Sequence, residues 1–311
     1  MIIKQADDRT HDIQTLQHII QLPYISRDQL NRAKRELIAL RSGLKGEREA
    51  AYHINFHYGK GENYAIIHDL RLEHEGRVAQ IDHLIIGRML HSFLCETKYW
   101  SDGITINSQG EFSAQYGSKK IGVPSPVMQN KRHIKVLSDI LASERVERPK
   151  RLGVRLPVSF YPITLVSTGA KIERPNEQYG DVIKADQLND YIQSQMDRET
   201  SVLSLGKLVT ANTLRDFAEA ILAMHTPNRK NYWTMLGIEQ AKASSLRNSS
   251  GAEQVNQVQN SPNTSSSNKK IKIPKQYVCA VCTKVVELKV ARFCWFNKKR
   301  FDNEIRCRSH Q

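Results

Sequence analysis

Residues 64–100 read YAIIHDLRLEHEGRVAQIDHLIIGRMLHSFLCETKYW, and three strand-like runs can be cut from them, at 64–72, 78–87 and 91–100. Each run is short and apolar, and the links EHEG and RML are hairpin-sized, so the segment predicts a three-strand meander. Upstream, apolar positions recur at three- and four-residue steps from Leu30 through Leu37 and Leu44 to Ala51, Ile54 and Tyr58. That spacing predicts a helix over 28–58, closed by a turn cluster at Gly59, Gly61 and Asn63. Downstream of a polar stretch, Pro124 and Pro126 introduce a helix over 127–142 that turns Val127, Ile134, Leu137 and Leu141 toward a core, and a strand over 158–168 follows. Helix, meander, helix, strand is the outline of an α/β sandwich. Beyond it, a short strand is expected at 181–183 and helices at about 186–194 and 208–224.

The 311 residues carry 46 Lys and Arg against 32 Asp and Glu, a net charge of +14. With 40% hydrophobic and 25% charged residues, the composition excludes a membrane-embedded or wholly disordered chain, and the length suggests about two domains. A basic excess favours polyanionic partners, nucleic acid before an anionic membrane surface. No run approaches the roughly 18 apolar residues of a membrane span. The start, MIIKQADDRT, lacks the basic-then-apolar pattern of a secretory signal, so a cytoplasmic location is expected. Cys279, Cys282, Cys294 and Cys307 crowd into the C-terminal region while Cys95 stands alone, which is metal-site spacing more than a disulfide framework.

The chemistry concentrates in AQIDH (79–83) and ETK (96–98). Residues two apart on a strand share a face, so Glu96 and Lys98 project together while Thr97 points away, and a hairpin would bring Asp82 beside Glu96. Charges within apolar strands are costly to bury unless paired or bound to metal. Two carboxylates, with the Thr97 carbonyl, suit a hard cation such as Mg²⁺, and Lys98 would then stand where negative charge develops on a phosphate. An exposed hairpin carrying a salt bridge would show the same letters. On the preceding helix, about 100° per residue sets Glu47 on the face of Ala51, Ile54 and Tyr58, and points Glu49 to solvent.

GLKGE (43–47), AQIDH (79–83), FLCETK (93–98) and PSPVMQNKRHIKVL (124–137) resemble, in this order, the NERD or nuclease-related domain, over roughly residues 40–170. NERD domains in turn resemble PD-(D/E)XK nucleases. The fold implied is a restriction-endonuclease-like sandwich, a mixed central sheet flanked by helices. The resemblance implies a phosphodiesterase dependent on Mg²⁺ or Mn²⁺, with Asp82 and Glu96 as metal ligands and Lys98 as the catalytic lysine. Glu47 corresponds to the helix acid that completes or supports the metal site, and Gln129 to a helix glutamine that touches metal-bound water or phosphate. His83 and His133 also match the pattern, although their residue type favours structural histidines hydrogen-bonded within the sandwich. Arg88-Met89-Leu90 stands where many relatives carry glycine, which leaves the strand pairing there open to a shift.

The C-terminal segment holds a C-x2-C pair, Cys279 and Cys282, and a C-x2-H pair, Cys307 and His310. These four suit tetrahedral Zn²⁺, with Cys294 as an alternative ligand in place of His310. The segment is too short for a core without such a staple. From Lys269 onward there are 12 Lys and Arg against 3 Asp and Glu, or +9 of the +14. Arg292, Lys298, Lys299, Arg300 and Arg306, interleaved with aromatics, are candidates for nucleic-acid contact. The expected organisation is a helical extension at 1–39, the nuclease-like domain at 40–235, a flexible linker at 236–272 and a zinc module at 273–311. The function expected is a nuclease acting on DNA before RNA. The rival is a non-catalytic zinc protein that binds nucleic acid or protein on a nuclease-like scaffold.

Overall fold

Ser26 opens the long helix with a capping box, its hydroxyl accepting from Gln29 N at 3.2 Å while the Gln29 side chain accepts from Ser26 N at 2.9 Å. In the computed structural model the described residues are 1–175, 179–199, 206, 208–228 and 230–238, and near the C-terminus 277–282, 284–287, 290, 294 and 305–310. They fall into two units, 1–252 and 253–311.

The first unit runs β1 (Ile2–Lys4), α1 (Thr10–Ile20), α2 (Arg27–Tyr58), β2 (Tyr64–His74), β3 (Arg77–Gly87) and β4 (His91–Lys98). It continues with β5 (Ile104–Ile106), β6 (Phe112–Tyr116), β7 (Lys119–Val123), α3 (Pro126–Ala142), β8 (Lys150–Arg151), β9 (Val154–Arg155) and β10 (Ser159–Val166). Then come β11 (Ile172–Glu173), β12 (Val182–Lys184), α4 (Leu188–Glu199), α5 (Ala211–Leu222) and α6 (Tyr232–Leu236). A six-stranded mixed sheet has the order β1-β2-β3-β4-β10-β12, antiparallel from β2 to β4 and parallel elsewhere.

Helices cover both faces because the strands are apolar on both. On one face Ile67, Leu84, Ile86 and Leu94 pack against Leu137 and Ile140 of α3 and Leu214 and Phe217 of α5. On the other, Ile66, Ile85, Phe93 and Cys95 meet Ala50 and Ile54 of α2 and Leu188 and Ile192 of α4. Buried Asn130 of α3 donates across the sheet to Leu94 O at 2.6 Å and Ile163 O at 3.0 Å, pinning α3 over the β4–β10 seam. Among the described residues no helix is long and apolar enough to cross a membrane.

Several boundaries differ from the sequence expectation. Helix α2 runs unbroken across 39/40, and β1 belongs to the central sheet, so the N-terminal residues are built into the sandwich. The polar stretch after β4 holds β5, β6 and β7, which join β11 in a second, four-stranded sheet. Ile104, Ile106, Phe112 and Ala114 are its buried members, two alternating pairs too short to signal strands in the letters. Leu236 and Ile238 pack into the core with Leu16, Ile19 and Tyr232, so the first unit includes 236–238 of the expected linker. The rest of the expected linker, 239–272, lies outside the described residues. At Arg88-Met89-Leu90 the pairing is not shifted: Leu90 takes up φ 58°, the conformation a glycine would supply, and Ile86 still faces Ser92.

The second unit has a hairpin of β13 (Tyr277–Val278) and β14 (Val285–Val286) and a 3₁₀ turn at Arg308–His310. Its small core joins Cys279, Val286 and Val290, with Cys282, Ile305 and Cys307 against them.

Candidate active site and candidate metal centre

The β2–β3 ladder pairs His68 with His83 and Leu70 with Ile81, which leaves Asp69 and Asp82 as the intervening, unladdered pair. Asp69 has φ 52°, a left-handed conformation in mid-strand. On either side of this pair the apolar parity switches. Ala65 and Ile67 share the α3 face with Leu70 and Leu72, and Leu84 and Ile86 share it with Ala79 and Ile81. Both strands therefore spend one extra residue here, and the two aspartates are what they spend it on.

The β3–β4 ladder stops one step short of Asp82 and Glu96, at His83–Cys95. Beyond that point Thr97 N donates to Asp82 Oδ2 at 2.7 Å, so a carboxylate takes the place of the backbone partner. Glu96 is buried, 3% exposed, with Lys98 Nζ donating to its Oε1 at 2.7 Å. Its Oε2 has no hydrogen-bond partner, and His133 Nδ1 stands 3.5 Å away. The same-face projection of Glu96 and Lys98 and the proximity of Asp82 are present as the strand geometry required. Half-buried Gln129 lies one helical turn before His133 on α3.

Glu47 is brought in by α2. A Cβ on Gly46 would lie 3.1 Å from Tyr99 Cβ and 3.3 Å from Thr97 Cγ2, so glycine permits the helix to press on the end of β4. Glu47 borders a cavity of about 330 Å³ lined also by Arg9, Gly43, Gln80, Asn228 and Tyr232. Glu49 does not face solvent as the helical wheel suggested: its Oε1 accepts from Thr168 N at 2.7 Å and Thr168 Oγ1 at 2.6 Å, which ties α2 to the loop after β10.

Burial is the main force on these acids. It pushes the Asp82 carboxyl well above the usual carboxylate range, and the charges of Glu96 and Glu47 push it further. Burial raises Glu96 too, against the pull of Lys98, and it raises Glu47, with Asp69 adding to the effect. Such a group of acids is short of positive charge. Burial, with Arg132 and Lys98 nearby, brings His133 down to about 4, so it is neutral beside Glu96 at ordinary pH. His83 is a structural histidine: its Nδ1 is 2.7 Å from His68 Nδ1, whose ring in turn meets Asn55 Oδ1 at 3.0 Å.

Asp69 and Arg9 were not singled out by the sequence. Arg9 Nη2 lies 3.1 Å from Asp69 Oδ2, its Nη1 donates to Asn228 O at 3.1 Å, and Gln80 Nε2 donates to Asp69 Oδ1 at 3.2 Å. One signal was available. The dipeptides His68-Asp69 and Asp82-His83 are mirror images on paired strands and mark where alternation fails.

In the C-terminal unit, the ligand atoms of Cys279, Cys282, Cys307 and His310 all lie within 4.8 Å of one another, the only such group of ligating side chains among the described residues. The Cys282–Cys307 sulfur separation is 3.7 Å, Cys279 Sγ–His310 Nδ1 is 3.6 Å and Cys307 Sγ–His310 Nδ1 is 3.2 Å. Cys294 is outside the group, exchanging hydrogen bonds with Arg306 N and O at 3.3 Å, so the geometry favours His310 over it. Burial works to raise the Cys279 thiol, but hydrogen bonds from surrounding backbone amides and His310 outweigh it and bring it to about 5. Among the expected nucleic-acid contacts, Arg306 is half-buried, while Arg292, Lys298, Lys299 and Arg300 lie outside the described residues.

Residues 42–163 match the family model of the nuclease-related domain, NERD. The matched segment contains Glu47, Asp82, Glu96, Lys98 and Gln129, and excludes Arg9, Asn228 and the cysteine cluster. No curated protein and no solved structure matches the chain.

Proposed function

We propose that the chain is a Mg²⁺- or Mn²⁺-dependent nuclease that hydrolyses phosphodiester bonds in DNA, in the cytoplasm, and that its C-terminal unit holds Zn²⁺ and grips nucleic acid. The observation that carries this reading is the buried, unpartnered Glu96 Oε2, set beside Asp82 and Lys98 where β3 and β4 part. An orphaned carboxylate oxygen among acids of raised proton affinity fits a hard cation. Asp82 and Glu96 would hold it, with the Thr97 carbonyl as a further oxygen donor and Glu47 behind them. When bound, such an ion polarises a phosphoryl oxygen and makes a water molecule a better nucleophile.

The chain's own residues supply the rest. The Thr97 amide holds the Asp82 carboxylate by its Oδ2. Glu96 Oε1 holds the Lys98 ammonium in place, where it stabilises charge developing on the phosphate or orients the attacking water. Gln129, one helical turn before His133, would hydrogen-bond that water or a phosphate oxygen. For the C-terminal cluster, a tetrahedron with a Zn–S distance of about 2.3 Å has edges of roughly 3.7 Å, and the separations of 3.2 to 3.7 Å support a zinc fit.

The test is cleavage of plasmid, single-stranded DNA and RNA by the purified chain with Mg²⁺ or EDTA, beside Asp82→Ala and Lys98→Ala. Wild type is expected to cut with Mg²⁺ alone, and each variant to lose about a hundredfold or more in rate. Equal behaviour of all three proteins would sink the reading.

A further inference from the structure

Helix α2 has a second face that the proposed chemistry does not use. At about 100° per residue, Lys34, Arg41, Lys45, Arg48, Tyr52 and Phe56 fall within an arc of roughly 80°, along about 33 Å of helix. All six are exposed, Tyr52 at 65% and Phe56 at 71%. Their rings stack on each other at 6.3 Å with planes 30° apart. The arc holds no carboxylate. Glu49, beside it, is spent on Thr168.

Large aromatics left in water beside cations need a reason, and a second copy of this chain is a poor one, because two such faces would bring like charges together. A polyanion that carries flat rings meets both halves of the face. We infer that this face of α2 is a docking track for single-stranded DNA, with the four cations on phosphates and Tyr52 and Phe56 on unpaired bases. The track passes beside the site at mid-length. Lys45 Nζ sits 4.6 Å from the centre of the Tyr99 ring, next in sequence to Lys98, and Lys45 and Arg48 flank the Gly46–Glu47 step that presses on Thr97. The cations and rings serve the phosphates and bases of any single strand, and DNA is taken as the occupant because the proposed function acts on it. The inference rests on the reading of the chain as one that acts on nucleic acid. It places capture on the sandwich itself as well as on the C-terminal unit.

The experiment is fluorescence anisotropy of the full chain with a short labelled oligothymidylate, without added divalent cation, beside the matching RNA and a DNA duplex. Tyr52→Ala/Phe56→Ala is expected to weaken binding of the single strand about tenfold or more and of the duplex little. Arg41→Ala/Arg48→Ala is expected to lower the slope of log affinity against log salt by about 1.4. Thermal melts confirm that these exposed-site variants remain folded. Wild-type affinity and slope in both variants, tighter binding of RNA than of DNA, equal or tighter binding of duplex, or a self-associating chain dispersed by the aromatic changes would each overturn the track. The nuclease reading is judged separately by Asp82→Ala cleavage: unchanged binding by the track variants with loss of cleavage in Asp82→Ala removes the track alone.

Discussion

At Asp69 a non-glycine residue holds φ 52° in mid-strand, a conformation that costs about 1–3 kcal/mol unless its surroundings enforce it. Arg9 and Gln80 enforce it, by an ion pair at 3.1 Å and a hydrogen bond at 3.2 Å to its two carboxylate oxygens. Removing the cation leaves a nearly buried charge among other acids, so Arg9→Met should destabilise the chain by roughly 2–4 kcal/mol. In a double-mutant cycle Asp69→Asn should recover part of that loss, and simple additivity in denaturant titrations would contradict the coupling. His68 gives the pH dependence. Burial, with Lys4 nearby, brings its pKa to about 4, below the ordinary value of 6.5. The unfolded chain therefore binds the proton that the folded chain refuses between those values. Stability from this group is complete above about pH 6.5 and is lost as pH falls toward 4, about 3 kcal/mol in all. The melting temperature should decline through that window, and His68→Gln should flatten the decline whatever it does to stability at neutral pH.

Among the elements, α2 carries the most. Its buried face packs Ala50, Ile54 and Tyr58 on the sheet, its Gly46 touches the end of β4, and its Glu49 holds the loop after β10. Glycine within a helix costs about 1 kcal/mol against alanine, so its presence at 46 needs this close approach to explain it. Gly46→Ala should be nearly neutral in stability, because the helix gain offsets contacts of 3.1 and 3.3 Å, yet it should slow cleavage about tenfold by moving Glu47 and Thr97 apart. Gly46→Val should cost about 2 kcal/mol more than alanine. Melting curves and turnover measured on the same preparations separate the two effects, and an alanine variant of wild-type rate would show that the approach is not needed. The strands contribute by failing together. β2 and β3 lose their alternation at facing residues, and β3 and β4 stop pairing at the next step, so the sheet opens where the acids stand.

The molecule as a whole is larger than its recognisable part. Residues outside 42–163 supply β1 at the sheet edge, α5 over one face, α4 over the other, and Arg9 and Asn228 beside Glu47. The matched segment is thus a centre that the flanking chain must cover. The C-terminal unit answers to a different economy. Among the described residues its core joins Cys279, Val286 and Val290 with Cys282, Ile305 and Cys307 against them, and three of the six belong to the ligand cluster. A core shared in this way with the ligand cluster would be fastened by bound metal. Metal analysis of the full chain should find one zinc, retained in Cys294→Ser and lost in Cys307→Ser. Retention in both would show that Cys294 can take a ligand position.

Helices α2 and α3 were legible in the letters because each repeats one apolar period over many residues, and the meander because hairpin-sized links part three apolar runs. Glu96 and Lys98 were legible because two residues apart on a strand means one face. The cysteine cluster was legible from spacing, but spacing could not choose between Cys294 and His310, since loop closure admits either. Period and spacing reach no further than one element or one turn. That Asp69 faces Asp82, that Arg9 comes from a distant segment to meet Asp69, and that Glu49 is tied to Thr168 depend on contacts between residues far apart in sequence. Only the packed chain, which decides which buried charge finds which partner, determines those.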